Sequence, residues 1–153
     1  MRYDHTEKAA GYFADGMNCA QSVFVAFSDV TGMDEKTAKR LSSSFGAGMG
    51  RMREVCGTCS AIFMVLGLLY GEGTERDDTV KAAHYKRVQD LAKRFKAEHG
   101  TIICRELLAG LNVTNTPVPE KRTEEYYKVR PCVKFVRTAA ALLDAYLEEN
   151  PPV

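Results

Sequence analysis

Apolar residues recur at helical spacing along almost the whole chain, and no stretch alternates apolar and polar residues as a strand would. Asn18 and Asp34 are good N-caps for two of the predicted helices, and Pro131 suits the first position of the last one. The pattern therefore predicts an all-α fold, a single domain over residues 1–153 with six or seven helices. These helices are predicted over residues 6–14, 19–30, 35–44, 56–71, 79–98, 102–108 and 131–148.

The helix predicted over residues 56–71 is the most apolar stretch of the chain. Residues 61–70 include no charged side chain, and a helix that is apolar all round is a buried one. Its roughly fifteen residues are too few to span a membrane, which takes about 20. We therefore expect it to be the central helix of the bundle, with no face left for water.

Several parts of the chain are expected to lie outside the core. Residues 110–121, with two asparagines and two prolines, are the least regular stretch and the best candidate for a mobile loop. Residues 150–153 are expected to form a tail, and His5, near the N-terminus, is expected to be exposed. The helix over 79–98 is strongly charged. Its predicted apolar stripe consists of Val80, Ala83, Tyr85, Val88, Leu91, Ala92 and Phe95.

Length and charge narrow the classes of function. The 153 residues suit one domain with a proper core. Basic and acidic residues nearly cancel, 21 against 20, so neither a nucleic acid nor an anionic membrane is indicated as a partner. The N-terminal residues lead directly into an amphipathic segment without an apolar signal region, which predicts a cytoplasmic location.

Five cysteines in a reducing compartment are more typical of metal binding or thiol chemistry than of structural disulfides. Cys19, Cys56 and Cys132 are predicted in the first turns of helices, and Cys104 near the start of a fourth. Unpaired N–H groups at a helix start favour an anion and lower the pKa of a thiol. We therefore hypothesise that these helix starts, which the sequence alone does not bring together, form one site.

Cys56 and Cys59 form a Cys-x-x-Cys pair at the start of the central helix. Ser60 stands where a c-type haem site requires histidine, and no βαβ pattern surrounds the pair as in a thioredoxin-like motif. Two interpretations remain open. In one, Cys56 and Cys59 are a catalytic dithiol. In the other, cysteines hold zinc or an iron–sulfur cluster, with the candidate ligands Cys19, Cys56, Cys104 and Cys132.

A glycine-rich loop precedes the central helix. Gly46, Gly48 and Gly50 allow positive φ or close approach of another group, and Arg51 and Arg53 follow them. The loop matches a dinucleotide fingerprint only superficially, because it follows a helix and lacks the rest of the spacing. Gly46, Gly48, Gly50 and Arg51 are therefore kept as candidate cofactor-binding residues, and the loop is expected to give access to the thiols.

These features resemble a family of small bacterial and archaeal proteins described as redox-active, the C_GCAxxG_C_C family, with four invariant cysteines and a Cys-Gly-Ala-x-x-Gly motif. The resemblance covers about residues 10–147. It rests on the Phe-Gly-x-Gly-x-Gly loop, the Cys-Gly pair before an apolar helix, a later Cys-x-x-Leu-Leu and a last helix led by cysteine. It implies four family cysteines, namely Cys19, Cys56, Cys104 and Cys132.

The chain departs from the family motif at two positions. Gly57 matches the motif glycine, but Thr58 and Ala61 stand where the motif has alanine and glycine. Cys59 is an additional thiol inside the motif. This fifth thiol would either change the choice of metal ligands or provide a resolving partner for Cys56.

Three functional hypotheses follow. The first is a cytoplasmic redox protein, an oxidoreductase, in which Cys56 attacks as a low-pKa thiolate and Cys59 or another cysteine resolves, or in which the cysteines hold a redox centre. The second is a non-catalytic protein that binds zinc or an iron–sulfur cluster. The third is a helical interaction module with inert, buried cysteines. The sequence does not identify a redox partner, and its many apolar helices are compatible with a homodimer.

Overall fold

The computed structural model describes residues 3–152, and its architecture confirms the all-α prediction. Within that range the only β-type pairing is an isolated bridge between Val55 and Ile103. The described chain forms nine α-helices and the 3₁₀ helix Ser43–Phe45. The α-helices are α1 (Thr6–Ala14), α2 (Cys19–Ala26), α3 (Ser28–Thr31), α4 (Glu35–Ser42), α5 (Gly57–Tyr70), α6 (Asp78–His99), α7 (Cys104–Leu107), α8 (Glu124–Val129) and α9 (Cys132–Glu149).

Helices α2 and α5 pack against each other at the centre of the bundle. Helices α1 and α9 pack together and against α2, α4 lies against α2, and α6 lies against α5 and α9. Six of the eight residues of α2 are buried, because its sequence is apolar on nearly every side. The largest fully buried side chains of the core include Phe24, Ile62, Leu66, Leu143 and Leu147.

The predicted central helix is α5, and Cys56 is its N-cap residue. Its first six residues are buried, as are Val65 and Leu66. Its end meets solvent, since Leu68 is 48% exposed, so the expectation that no face meets water holds only for the half nearer the cysteines. Among residues 3–152, no helix has the length and hydropathy that crossing a membrane requires.

Local capping signals set several helix boundaries. The Asn18 side chain accepts the Gln21 N–H at 2.9 Å, and the Gln21 side chain accepts the Asn18 N–H at 3.0 Å, which is a complete capping box. The Asp34 carboxylate accepts the Thr37 N–H at 2.9 Å. The helix predicted over 19–30 is divided at Phe27 into α2 and α3, and α8 is an additional helix. The described chain therefore has more helices than the six or seven expected.

His5 is buried, so the expectation of an exposed side chain is wrong: only 4% of its surface is accessible. Its Nδ1 lies 2.6 Å from Asp144 Oδ1, its Nε2 lies 3.0 Å from the Asp29 carboxylate oxygens, and its ring stacks on Phe27. Burial lowers the pKa of His5, but the hydrogen bonds and negative charges of Asp144 and Asp29 outweigh burial and raise it above its ordinary value. The His5 side chain thus connects the N-terminal segment to α3 and α9.

The free energy of unfolding is expected to depend on the protonation of His5. The pKa of His5 is higher in the folded chain than in the unfolded chain, where it is about 6.5. The stabilisation that protonated His5 contributes is therefore complete below pH 6.5 and is lost as the pH rises through the pKa of the folded chain. Asp144→Asn should lower the free energy of unfolding by about 2 kcal/mol near pH 6 and flatten its decline above that pH. Urea denaturation across this pH range measures both effects.

The matched control is Asp90→Asn, which removes an exposed carboxylate paired with Lys86 at 2.8 Å on the surface of α6. This variant should leave the pH dependence as in the parent protein. An Asp144→Asn protein with the same pH dependence as the parent would show that His5 is not the titrating group.

Candidate functional site

Four of the five cysteines line one cavity of about 300 Å³. Cys19, Cys104 and Cys132 are the first residues of α2, α7 and α9, and Cys56 precedes the first residue of α5. The structure thus brings together the four helix starts that the sequence singles out. Cys59 is buried and is not among the described residues that line the cavity.

A short backbone pairing places Cys56 beside Cys104. The Cys56 N–H donates to the Ile102 carbonyl at 2.8 Å, and the Cys104 N–H donates to the Glu54 carbonyl at 2.6 Å. The bridge between Val55 and Ile103 lies between these bonds. The segments that lead into α5 and α7 are therefore extended side by side, and both helices begin at the cavity.

Glycines at the cavity permit contacts that a side chain would block. A Cβ atom on Gly57 would lie 2.5 Å from Cys19 Sγ, so its absence lets the starts of α2 and α5 approach each other. A Cβ atom on Gly48 would lie 2.7 Å from Cys104 Cβ. One on Gly46 would lie 2.4 Å from the Asn18 side chain. Gly46 and Gly48 therefore allow the loop to pack close to the thiol cavity.

The loop before α5 carries a run of left-handed backbone conformations. Residues 47–51 all have φ between 55° and 71°. Ala47, Met49, Arg51 and Arg53 carry side chains in this region, at a cost of about 1–2 kcal/mol each. Strain of this kind concentrates at functional sites, where the surrounding structure maintains it. Here it directs the Ala47 N–H toward Cys19 Sγ, at 3.4 Å.

Cys56 is the acidic thiol of the site. A hydrogen bond from the Cys59 thiol lowers the pKa of Cys56 to about 7, against the opposing effect of burial. The Thr58 hydroxyl, 3.1 Å from Cys56 Sγ, and the backbone N–H groups of Thr58 and Cys59 add to this effect. Donating that bond raises the pKa of Cys59. The pKa of Cys56 is thus lowered and that of Cys59 raised, so Cys56 is the more acidic thiol of the pair.

The other three thiols are less acidic than an ordinary cysteine. Burial raises the pKa of Cys19 and of Cys104, and it raises the pKa of Cys132 to about 11. Arg53 Nη1, 3.8 Å from Cys104 Sγ, opposes the rise at Cys104 without cancelling it. Of the four helix-start thiols only Cys56 has a lowered pKa, and there the backbone N–H groups contribute less than the Cys59 thiol; burial dominates at the other three.

Arginine side chains form another part of the wall. Arg51 and Arg53, noted in the sequence, line the cavity together with Arg122 and Arg130, which were not predicted. Arg51, Arg53 and Arg130 all contact the Glu120 carboxylate, the first two at 3.5 and 3.6 Å. No local motif marks Arg122, Arg130 or Glu120, since their positions depend on how the segment before α9 folds over the thiols.

The segment predicted as a mobile loop covers this cavity. Residues 111–123 contain no helix. Arg53 Nε donates to the Thr114 carbonyl at 2.9 Å, and the Arg51 guanidinium donates to the carbonyls of Thr114 and Val118. Pro117 and Pro119 line the cavity. The mobility of this segment stays a prediction, and in the structure it is held by two arginines of the strained loop.

The cysteines are the right kind of donors for zinc or an iron–sulfur cluster. As placed, they do not fit a metal centre. Residues 3–152 contain no group of three or more histidine, cysteine, aspartate or glutamate side chains arranged to hold a metal ion.

A helical bundle whose helix starts present four thiols to one cavity, one of them acidic, defines a small cysteine-centred all-α protein. Residues 17–146 match the family described as "Putative redox-active protein (C_GCAxxG_C_C)", and the chain belongs to that family. This match confirms the resemblance seen in the sequence. The chain matches no curated protein and no solved structure.

Proposed function

We propose that this protein transfers electrons by thiol–disulfide exchange, with Cys56 as the attacking thiolate. The observation that supports this most directly is the position of Cys56. It lines the cavity, its Sγ lies 3.1 Å from the Thr58 hydroxyl, and the next thiol along the helix, Cys59, is buried. Because the thiolate is the species that attacks a disulfide, a thiol with a pKa of about 7 reacts at neutral pH.

The reaction takes place in two exchanges. The Cys56 thiolate attacks one sulfur of a partner disulfide, the partner S–S bond breaks, and a mixed disulfide forms as one partner thiolate leaves. Cys59 then loses its proton and attacks Cys56 Sγ, which releases the second partner thiolate and leaves a Cys56–Cys59 disulfide. Two electrons pass to the partner disulfide, and each departing thiolate takes up a proton from solvent.

The opposite pKa shifts of the two thiols support this order of events. Interaction with Cys56 is the main cause of the raised pKa of Cys59. When Cys56 is consumed in the mixed disulfide, its negative charge disappears and that cause is removed. Cys59 then ionises more readily, at the stage at which the second exchange needs it.

The rate of alkylation of Cys56 tests the acidity on which this proposal depends. We expect the second-order rate with iodoacetamide to rise with pH and to reach half of its maximum at about pH 7, as the thiol of Cys56 ionises. Peptide mass spectrometry assigns the modified cysteine. Slow modification of every thiol until the protein is unfolded would instead support the inert helical module.

Metal binding is the alternative that the sequence leaves open, and the placement of the four cysteines around the cavity does not favour it. The metal content and absorption spectrum of protein purified without oxygen test it. Stoichiometric zinc, or iron with charge-transfer bands, would make the cysteines ligands. Metal-free protein that is fully folded, with thiols that cycle reversibly, would support the dithiol proposal. The cytoplasmic location, the redox partner and a homodimer stay predictions.

A further inference from the structure

The charges around the thiol cavity are unbalanced. Arg51, Arg53, Arg122 and Arg130 all line it, and among the described lining residues Glu120 is the only carboxylate. Ionisation of Cys56 would add one further negative charge. Because a buried charge is costly unless it is paired, this excess of guanidinium groups favours the entry of an anion.

One of these arginines, Arg51, is also incompletely paired. Arg51 is only 9% exposed, and within the part of the chain that the structure describes its Nε has no hydrogen-bond partner. Arg51 Nη2, Arg53 Nη2 and Arg130 Nη2 all contact the same oxygen of Glu120, Oε1. A planar guanidinium group can donate two parallel hydrogen bonds to an anion with two oxygens. Other donors of Arg51 and Arg53 reach the carbonyls of Thr114 and Val118, which leaves Arg51 Nε as the unpaired donor of these two side chains among the described residues.

We propose that Arg51, Arg53 and Arg130 form a binding site for a small anion with two or more oxygens, either a free oxyanion or the carboxylate of a small molecule, and that Glu120 occupies this site when the anion is absent. Glu120 lies in the helix-free segment 111–123, so its carboxylate can give way without unwinding a helix. The anion would be part of the substrate of the thiols. That last statement rests on the proposed redox function, whereas anion binding itself does not.

Calorimetric titration of the reduced full-length protein with inorganic phosphate, and separately with malonate, tests the site at fixed ionic strength. We expect one saturable site per chain. Glu120→Gln should tighten binding about tenfold, because the competing carboxylate is removed, and Arg130→Gln should weaken it about tenfold or more. The matched control is Arg76→Gln, an exposed arginine outside the cavity, which should bind as the parent protein does.

The two anions distinguish the two sources of the ligand. Tighter phosphate binding indicates a free oxyanion, and tighter malonate binding indicates an organic carboxylate. The proposed site would be overturned if neither anion bound saturably to the parent protein or to Glu120→Gln. Equal affinities for the parent and for Arg130→Gln would also overturn it. If Arg130→Gln does not fold, Arg51→Lys replaces it. Lysine keeps the positive charge but lacks the planar guanidinium group with its parallel N–H donors, so weaker anion binding is expected.

Glu120→Gln gives the more decisive result. If Glu120 only maintained the structure of the cavity, its replacement would weaken or abolish anion binding, whereas competition with the anion predicts tighter binding. Alkylation of Cys56 in the same samples separates this inference from the proposed function. Anion binding with unreactive thiols would support the site and reject the redox role. Reactive thiols without anion binding would support the redox role and reject the anion site.

Discussion

Cys56→Ser is expected to abolish thiol–disulfide exchange, with a loss in rate of about a thousandfold or more. A serine hydroxyl is not ionised near neutral pH, and the pKa values of the other cavity thiols, Cys19, Cys104 and Cys132, are raised. The measurement is the rate at which the reduced protein releases a chromophoric thiol from a small aromatic disulfide near pH 7.

Two matched variants show which step each thiol serves. Cys59→Ser should still release the first equivalent of chromophore but accumulate a mixed disulfide on Cys56, visible by mass spectrometry. Cys132→Ser should keep most of the rate, because the pKa of Cys132 is about 11. Unchanged cycling in Cys56→Ser would reject the proposed role of Cys56. Complete resolution in Cys59→Ser would assign the second step to another thiol of the cavity.

Gly57→Ala is expected to lower the free energy of unfolding by about 2–3 kcal/mol. The added methyl group would lie 2.5 Å from Cys19 Sγ, 2.8 Å from the Phe45 carbonyl oxygen and 3.1 Å from the Ala20 backbone nitrogen, so α5 would have to move away from α2 and from the 3₁₀ helix. Urea denaturation measures the loss. Alkylation of Cys56 should slow as well, since the same displacement disturbs the cavity.

Gly67→Ala is the control for that experiment, because it makes the same substitution in the same helix. A Cβ atom on Gly67 would have no contact within 4 Å among the described residues. Alanine should therefore raise the free energy of unfolding by about 0.5–1 kcal/mol through its better helix propensity. Equal effects at Gly57 and Gly67 would show that the close approach at Gly57 is not what requires glycine there.

The helices were predictable where the signal is local. Asn18 and Asp34 cap helices as expected, since capping depends on residues within one turn. The division at Phe27 was not predictable, because that side chain is fully buried and stacks on His5, a contact between distant residues. His5 itself was placed wrongly for the same reason.

The apolar stripe predicted along α6 is only partly correct. Leu91 and Phe95 are buried, whereas Tyr85 is 59% exposed and Val80 is also exposed. Helical spacing shows which residues share a face, but it does not show how much of that face a neighbouring helix covers. In this protein the N-terminal half of α6 extends beyond the neighbouring helices, so its apolar face meets solvent.

The candidate site was predictable in its thiols and unpredictable in its arginines. Cysteines at helix starts can be read from caps and from Pro131, and they do meet at one cavity. Their acidity depends on burial, which three-dimensional packing decides. Arg122, Arg130 and Glu120 carry no local signal, because a segment without regular structure brings them to the cavity.

The cavity also sets an order of events during synthesis. Its thiols come from α2 and α5, and also from α9, which follows them much later in the sequence. A chain that emerges from the ribosome exposes Cys56 and Cys59 well before α9 can cover them. During that interval the two thiols are open to oxidation or to cross-linking with a neighbouring chain. Oxidation during synthesis is therefore expected to fall mainly on chains in which α9 has not yet packed over Cys56 and Cys59.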